Sequence, residues 1–130
     1  MVTLFRGDDN YKKGAVGETL ARSADINTVW EHVRKESNQT SIFTSFSTSK
    51  KIAETFSKTN IIKIYSEELT QLESQEKIEV YTVDKVTKIM KSHPKKKIRI
   101  DANNVKRIME KNKEVLIKGQ IPASYIKSTN

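Results

Sequence analysis

The chain has 130 residues, a formal net charge of +8 at pH 7 and no cysteine. This length predicts one domain, residues 1–130, that can bury a hydrophobic core without cross-links. The composition excludes disulfide bonds, thiolate metal sites and cysteine nucleophiles. No apolar run approaches the ~20 residues that a membrane-spanning helix needs, so no membrane insertion is expected.

The positive charge is concentrated late in the chain. Residues 85–118 contain 12 Lys or Arg and three acidic residues, whereas the remainder contains 12 basic and 13 acidic residues. A concentrated basic face attracts polyanions, with nucleic acid ahead of a membrane surface. The alternative is a solvated lysine-rich surface that aids solubility.

The first half of the chain is predicted to begin with a strand at 2–5 and a Gly-rich loop at 7–17. A helix is predicted at 27–36, where apolar residues lie at helical spacing. Apolar and hydroxyl residues alternate at 41–46, which predicts a strand.

The stretch FTSFSTSKK, residues 43–51, crowds hydroxyls beside two Phe residues. Its end predicts a helix through residue 56 that is capped by Ser47, Thr48 or Ser49 and has Ile52, Ala53 and Phe56 on its inner side. The hydroxyls then have two interpretations. They form either a polar strand end that leads into the cap, or a strand face that lines a ligand pocket, with both Phe side chains in the core or the pocket wall.

The second half is predicted to contain, in order, a strand at 60–65, an acidic surface excursion at 66–77, a strand at 78–83, a helix at 84–91, a basic strand at 95–100, a helix at 103–111, a strand at 114–117 and a turn at 118–120. Strands and helices are mixed without regular βαβ alternation. This pattern favours the α+β class over a doubly wound sheet.

Four short motifs follow one another along these elements. The first strand ends in LFRGD (4–8), and the helix at 27–36 contains TVWEH (28–32). The hydroxyl-rich strand supplies an aromatic, S-x-S and a later Ala, at Phe43, Ser45, Ser47 and Ala53. The last strand opens at Glu114 and leads through KGQIP to Ile126. Each motif is weak alone, because a strand-end Arg is usually a surface ion-pair partner and a helical His is usually structural.

In this order, the motifs resemble those of the bacterial toxin ADP-ribosyltransferases of the cholera and pertussis type. The resemblance spans nearly the whole chain. It implies an α+β fold in which two small packed β-sheets, with flanking helices, surround a cleft for NAD. It also implies an enzyme that uses NAD as its substrate, without a metal, and transfers ADP-ribose to a macromolecule.

The resemblance assigns a role to each matching residue. Glu114 would stabilise the cationic ribose that forms as nicotinamide leaves, and Ser45 would hydrogen-bond Glu114 and fix its direction. His32 would orient the ligand or help to move a proton. Arg6 would bind NAD phosphate, and Asp8 would bind the adenosine-side ribose or fix the Arg6 loop.

Two positions have a second interpretation within this pattern. Ser47 is assigned to NAD binding, but helix capping explains it equally well. Arginine-modifying members carry Glu two residues before the catalytic Glu, whereas this chain has Asn112. Asn cannot ion-pair a guanidinium, so arginine is not the expected acceptor; an amide can still hydrogen-bond a hydroxyl or a base edge. The alternative is that Asn112 only ends a helix.

The acceptor is expected on the side of the loop that precedes Glu114, where the target-binding residues would be Asn112, Lys106, Arg107, Lys111 and Lys113. Their charge favours structured RNA, such as ribosomal RNA, as the acceptor. Three alternatives stay open: a Thr, Gln or Asn side chain of a protein, water in an NAD glycohydrolase, and a non-enzymatic RNA-binding domain.

The start, MVTLFRGDD, lacks the features of a signal peptide. It suits either a compact cytosolic protein or a domain of a longer chain. The family resemblance implies the toxic C-terminal part of a larger secreted protein that acts in the cytoplasm of a target cell during bacterial competition. Such a toxin would be held in check by an immunity protein, here expected to be acidic.

Overall fold

The computed structural model describes residues 2–9, 11, 14–17, 28–33 and 43–128. The strands are β1 (Thr3–Gly7), β2 (Phe43–Ser47), β3 (Ile61–Tyr65), β4 (Ile78–Tyr81), β5 (Glu114–Gly119) and β6 (Lys127–Ser128). The helices are α1 (Val29–Val33), α2 (Lys50–Ala53), α3 (Ser66–Ser74), α4 (Val83–Lys91) and α5 (Lys96–Lys111), with a 3₁₀ turn at Ala123–Tyr125. The predicted mixture of helices and strands is therefore confirmed.

The strands form one antiparallel six-stranded sheet in the order β4-β5-β2-β1-β3-β6. The expectation of two separate packed sheets was wrong, because β1 and β2 are paired at Phe5 with Ser47. This junction is short. By contrast, β1 pairs with β3 along its whole length, and β2 does the same with β5. Two three-stranded halves thus meet at one point in the middle of the sheet.

Each face of the sheet packs against its own hydrophobic cluster. One cluster contains Phe46, Ile117 and residues of β1, β3 and α3. The other contains Phe43, Leu116 and the inner faces of α4 and α5. Phe43 and Phe46 are three apart on one strand, so their side chains point to opposite faces. Both are buried, as predicted.

The strand predicted at 95–100 was wrong, because this segment begins helix α5. The letters KKKIRI alternate locally, but Ile98 continues the helical stripe of Ala102, Val105 and Met109, which packs against the second cluster. The helix at 103–111 and the helix at 84–91 are confirmed within α5 and α4. The longer apolar stripe, not the local alternation, decides the structure of this segment.

The acidic segment at 66–77 is also more ordered than predicted. It begins with α3, whose Leu69 and Leu72 are buried on one side. Glu67 and Glu68 lie in its first turn, where carboxylates interact favourably with the helix dipole. Only the outer side of this segment is a surface excursion.

Other boundaries differ by a few residues. Helix α2 ends at Ala53, and Phe56 is 66% exposed rather than turned inward. Strand β5 continues through Gly119, where a turn was predicted. Residues 27 and 34–36 of the helix predicted at 27–36 lie outside the described residues. So do residues 41–42 of the strand predicted at 41–46. In the part of the chain that the structure describes, no helix has the length and apolar character needed to cross a membrane.

Candidate active site

A cleft of about 360 Å³ opens where the two halves of the sheet meet. The end of β1, all of β2 and the start of β5 form its floor, and α1, α2 and α5 contribute walls. The lining residues are Phe5, Arg6, Gly7, His32, Val33, Phe43, Thr44, Ser45, Phe46, Ser47, Ile52, Ala53, Phe56, Ile108, Asn112 and Glu114. Arg6, His32, Ser45, Ser47, Asn112 and Glu114 were predicted as site residues, and they share this cleft.

The strand register places Ser45 beside Glu114. Ser47 is directly opposite Glu114, and Ser45 is opposite Leu116. Opposed residues of an antiparallel pair project from the same face, and diagonal neighbours remain within reach. Ser45 Oγ accordingly donates a hydrogen bond to Glu114 Oε2 at 3.3 Å. The hydrogen bond that was expected between these side chains is present.

His32 extends this interaction to a third side chain. His32 Nε2 lies 2.7 Å from Ser45 Oγ. A serine hydroxyl has one proton, and Ser45 gives it to Glu114, so its oxygen accepts from a protonated His32 Nε2. The hydrogen bonds therefore run in one direction, from His32 through Ser45 to Glu114.

Packing of α1 holds the His32 ring in place. His32 is buried, and its ring lies 5.8 Å from the Phe43 ring, measured between centroids. Two positions earlier, Trp30 packs edge-on against His93, at 5.2 Å between centroids. Trp30 and Val33 both contact the second hydrophobic cluster. One short helix is thus anchored on both sides of His32.

Glu114 is the buried carboxylate of the cleft. It is 9% exposed, and this burial raises its pKa above the ordinary value of 4.5. The hydrogen bond from Ser45 acts in the opposite direction and only partly offsets the burial. An ionised Glu114 therefore lies in a site of low polarity, where its negative charge interacts strongly with any nearby positive charge.

Arg6 bridges the junction of the two half-sheets. Its Nη1 donates to the backbone oxygen of Ser45 at 3.0 Å, and its Nε donates to Asp8 Oδ2 at 3.3 Å. The guanidinium is partly exposed and lines the cleft. Asp8 lies outside the cleft lining. Of the two roles expected for Asp8, the structure shows the contact that holds Arg6.

Gly7 lets the end of β1 approach α2 closely. A Cβ atom at Gly7 would lie 2.1 Å from the carbonyl oxygen of Ala53 and 2.8 Å from the Ser57 nitrogen. The following residue is fixed by Asp8 N, which donates to Asn60 O at 2.9 Å. Ser57 Oγ also donates to Asp9 Oδ1. These contacts position the loop that follows Arg6.

Ser47 is engaged inside the protein. Its hydroxyl donates to Asn112 O at 2.8 Å and accepts from Ser49 N at 3.1 Å. The helix cap expected among three hydroxyl residues is Ser49, whose Oγ accepts from Ile52 N at 3.3 Å. Ser47 lines the cleft, and its contacts fix the end of α5 against β2.

The chain turns sharply between α5 and Glu114. Asn112 ends α5, and Lys113 has a φ of +47°, in the left-handed region. Lys113 O accepts from Thr48 N at 3.0 Å, so this turn is tied to the start of α2. Asn112 ends the helix, as one interpretation predicted, and it also lines the cleft.

Three of the four predicted basic target-binding residues lie on α5, and Lys113 follows it. Ile108 and Asn112 face the cleft, and the exposed Arg107 and Lys111 each precede one of them by one position. Lys106 precedes Ile108 by two positions and therefore points about 200° away from it around the helix. None of these four basic residues lines the cleft, and Lys113 lies in the turn between Asn112 and Glu114.

Several lining residues were not predicted as site residues, among them Ile108 and Phe56. Ile108 was hidden within a segment described only by its charge, and Phe56 was assigned to the core. Among the described residues, no group of three or more His, Asp or Glu side chains is arranged to hold a metal ion. Comparisons with protein-family models, with curated proteins and with solved structures found no match.

Proposed function

We propose that this protein is an ADP-ribosyltransferase that cleaves NAD and transfers ADP-ribose to a macromolecular acceptor. The observation that carries the proposal is the hydrogen-bonded series His32, Ser45 and Glu114 in a cleft that also contains Arg6. Modification of an essential macromolecule in the cytoplasm of a target cell would make the enzyme a toxin.

The proposed reaction breaks the bond between nicotinamide and C1′ of the ribose. The bonding electron pair leaves with nicotinamide, whose ring nitrogen becomes neutral, and the ribose passes through an oxocarbenium-like state. A lone pair of an acceptor oxygen or nitrogen then forms the new bond to C1′, and the acceptor loses a proton. The products are nicotinamide, the ADP-ribosylated acceptor and one proton.

Glu114 has the properties that this transition state requires. Its carboxylate is buried, so it attracts an adjacent positive charge more strongly than an exposed carboxylate does. Ser45 directs one oxygen of Glu114 and leaves the carboxylate ionisable. The other oxygen would face the ribose and its 2′-hydroxyl. His32 would hold the Ser45 hydroxyl so that its proton points to Glu114.

The size of the cleft and the position of Arg6 suggest how NAD would lie. A volume of about 360 Å³ is near the lower end of the ~300–1,000 Å³ usual for small-molecule sites. It suits the nicotinamide and its ribose better than the whole dinucleotide. Arg6, at the junction of the half-sheets, would then bind the diphosphate through charge-assisted hydrogen bonds.

The short contact between His32 and Ser45 also has the length of a base and nucleophile pair. A serine nucleophile, however, would have to give its proton to His32. The alkoxide formed would lie 3.3 Å from the carboxylate of Glu114, where two negative charges oppose each other. This repulsion favours Ser45 as a positioning residue for Glu114 over Ser45 as a nucleophile.

The direct test is nicotinamide release from NAD by the purified protein. We expect the wild type to release nicotinamide. Glu114→Gln should do so more slowly by a factor of about 100 or more, since one electrostatic contact to a transition state commonly contributes that much. Glu110→Gln is the matched control, because it removes an exposed carboxylate from α5. A wild type without activity, or an active Glu114→Gln variant, would overturn the proposal.

A second readout separates transfer from hydrolysis. NAD labelled in its adenylate phosphate is incubated with a cell lysate and the protein. Label that becomes fixed to a macromolecule supports transfer. Free ADP-ribose without fixed label would make the protein an NAD glycohydrolase and would overturn the transfer step while retaining NAD cleavage.

A further inference from the structure

A second basic segment lies beside the end of α5. Lys50 and Lys51 are exposed residues in the first turn of α2, and they lie outside the lysine-rich part of the sequence. The backbone connects them to that part, because Thr48 N donates to Lys113 O at 3.0 Å and Ser47 Oγ donates to Asn112 O at 2.8 Å. We call Lys50, Lys51, Arg107, Lys111 and Lys113 the basic rim.

The balance of charge around the rim is positive. Segments 47–58 and 107–113 together hold six basic residues and two acidic ones, Glu54 and Glu110. Asp101 lies nearer the start of α5 and is partly buried. The acidic residues of α3 belong to a helix that packs against β3 and β4, whereas the rim lies at the ends of β2 and β5. A polyanion that reaches Glu114 from this side meets a surface of net positive charge.

An exposed aromatic residue lies on the same side. Phe56 follows α2 by three positions, lines the cleft and is 66% exposed. Most of this large apolar side chain is therefore left in contact with solvent. An exposed ring beside lysines is the combination by which proteins bind unpaired nucleotides, since the ring stacks on a base and the lysines bind the phosphates.

We propose that the acceptor is an unpaired segment of RNA, held by the basic rim through its phosphates and by Phe56 through a stacked base. This inference rests on the proposed transferase activity and names its substrate class. The bound nucleotide supplies the attacking oxygen or nitrogen, which forms the bond to C1′ as nicotinamide leaves and then loses its proton. Asn112, which lines the cleft, would hydrogen-bond that nucleotide through its amide.

The test measures label transfer from NAD to three defined probes: total bacterial RNA, heat-denatured genomic DNA, and lysate protein freed of nucleic acid. Wild type should label RNA most strongly. Label confined to protein would overturn the inference, and so would equal labelling of DNA, because RNA would then not be distinguished. Wild type that releases no nicotinamide from NAD would instead overturn the proposed function itself, so the two failures are distinguishable.

Charge-reversal variants test the rim. Lys50→Glu with Lys51→Glu, and separately Arg107→Glu with Lys111→Glu, should lower RNA labelling about 10-fold or more and reduce its salt dependence. Both positions of the first pair are exposed, so neither substitution buries a charge. Lys88→Glu with Lys91→Glu, on the exposed side of α4, is the control with the same change of charge. Equal RNA labelling by rim and control variants would overturn the inference.

Phe56→Ala tests the stacked base. RNA labelling should fall about 10-fold or more, which corresponds to the loss of one stacked base. Phe56→Trp should restore it, because any aromatic ring can stack. If Phe56→Ala instead raises KM for NAD in the absence of RNA and leaves labelling at saturating NAD unchanged, the ring serves NAD and the proposed base stacking is wrong.

Discussion

Ser45 Oγ donates a hydrogen bond to Glu114 Oε2, at 3.3 Å, across two neighbouring strands. Strand register sets this contact, because both side chains project from the same face of the sheet and lie one diagonal step apart. His32 Nε2 lies within hydrogen-bond distance of the same hydroxyl oxygen, at 2.7 Å. A backbone that is fixed by sheet pairing therefore directs a buried carboxylate into the cleft.

Removal of the Ser45 hydroxyl should impair the direction of Glu114 more than the binding of NAD. For Ser45→Ala we expect kcat of nicotinamide release to fall by up to about 100-fold, the usual effect of misplacing a reacting group, with KM for NAD little changed. Ser49→Ala is the control, since it removes the α2 cap and lowers stability without touching Glu114. An equal effect of both variants on kcat would show that Ser45 has only a structural role.

The rate of NAD cleavage should depend on pH through Glu114. Only the ionised carboxylate stabilises a positive ribose, and burial raises the pKa of Glu114 above 4.5. Activity should therefore be lost, as pH falls, at a midpoint above 4.5. Ser45→Ala should move this midpoint higher, because the Ser45 hydrogen bond lowers the Glu114 pKa. A pH profile of kcat/KM that is flat, or one that moves lower in Ser45→Ala, would contradict this assignment.

The same pKa shift predicts a link between Glu114 and stability. Because the folded-state pKa is above the unfolded-state value, the folded protein binds more protons between the two values, and stability is lost as pH rises through the folded-state pKa. Glu114→Gln removes this loss. Its Tm should exceed that of the wild type near neutral pH, and the difference should shrink as the pH approaches 4.5.

Thermal unfolding followed by circular dichroism over this pH range measures the effect. Glu110→Gln should show no comparable pH-dependent difference from wild type, because Glu110 is exposed. A Tm difference between Glu114→Gln and wild type that does not vary with pH would mean that Glu114 carries no unfavourable burial of charge.

The sequence predicted which residues would share the cleft better than it predicted how the strands pair. Arg6, Ser45 and Glu114 each belong to a short strand whose motif is local, so their types and order could be identified without knowledge of pairing. Whether the strands form one sheet or two depends on the single junction between Phe5 and Ser47. No local pattern encodes that junction, and the prediction of two sheets failed there.

The errors at 95–100 and at Phe56 have a common cause. In both places the neighbouring sequence suggested one environment and the tertiary structure supplied another. KKKIRI alternates like a strand, yet Ile98 is the first apolar residue of a helix that continues to Lys111. Phe56 extends the apolar spacing of Ile52, yet α2 has already ended at Ala53, so the ring projects at the cleft.

Gly7 should be intolerant of any side chain. In Gly7→Ala, the new methyl group would lie 2.1 Å from Ala53 O, a backbone atom that can move only if α2 moves with it. We expect a loss of about 1–3 kcal/mol in the free energy of unfolding, as is usual for overpacking, together with weaker NAD binding because the Arg6 loop shifts. Gly14→Ala is the matched control, as a Cβ atom there meets nothing within 4 Å. Chemical denaturation of both variants decides the point: similar midpoints would show that α2 accommodates the methyl group.

Arg6 should serve both the sheet junction and NAD, and Asp8 helps to hold Arg6. Arg6→Lys keeps the charge but cannot reach Ser45 O and Asp8 in the same planar geometry. We expect KM for NAD to rise about 10-fold or more in this variant, since one charge-assisted hydrogen bond contributes about 1.5 kcal/mol or more. Its Tm should also fall.

Asp8→Asn removes a partly exposed ion pair, which is worth about 0–1 kcal/mol, so its effect on Tm should be small. The two variants are compared by NAD titration in nicotinamide release and by thermal unfolding. If Arg6→Lys lowers Tm but binds NAD normally, Arg6 only stabilises the junction of the two half-sheets. The diphosphate must then be bound by other residues.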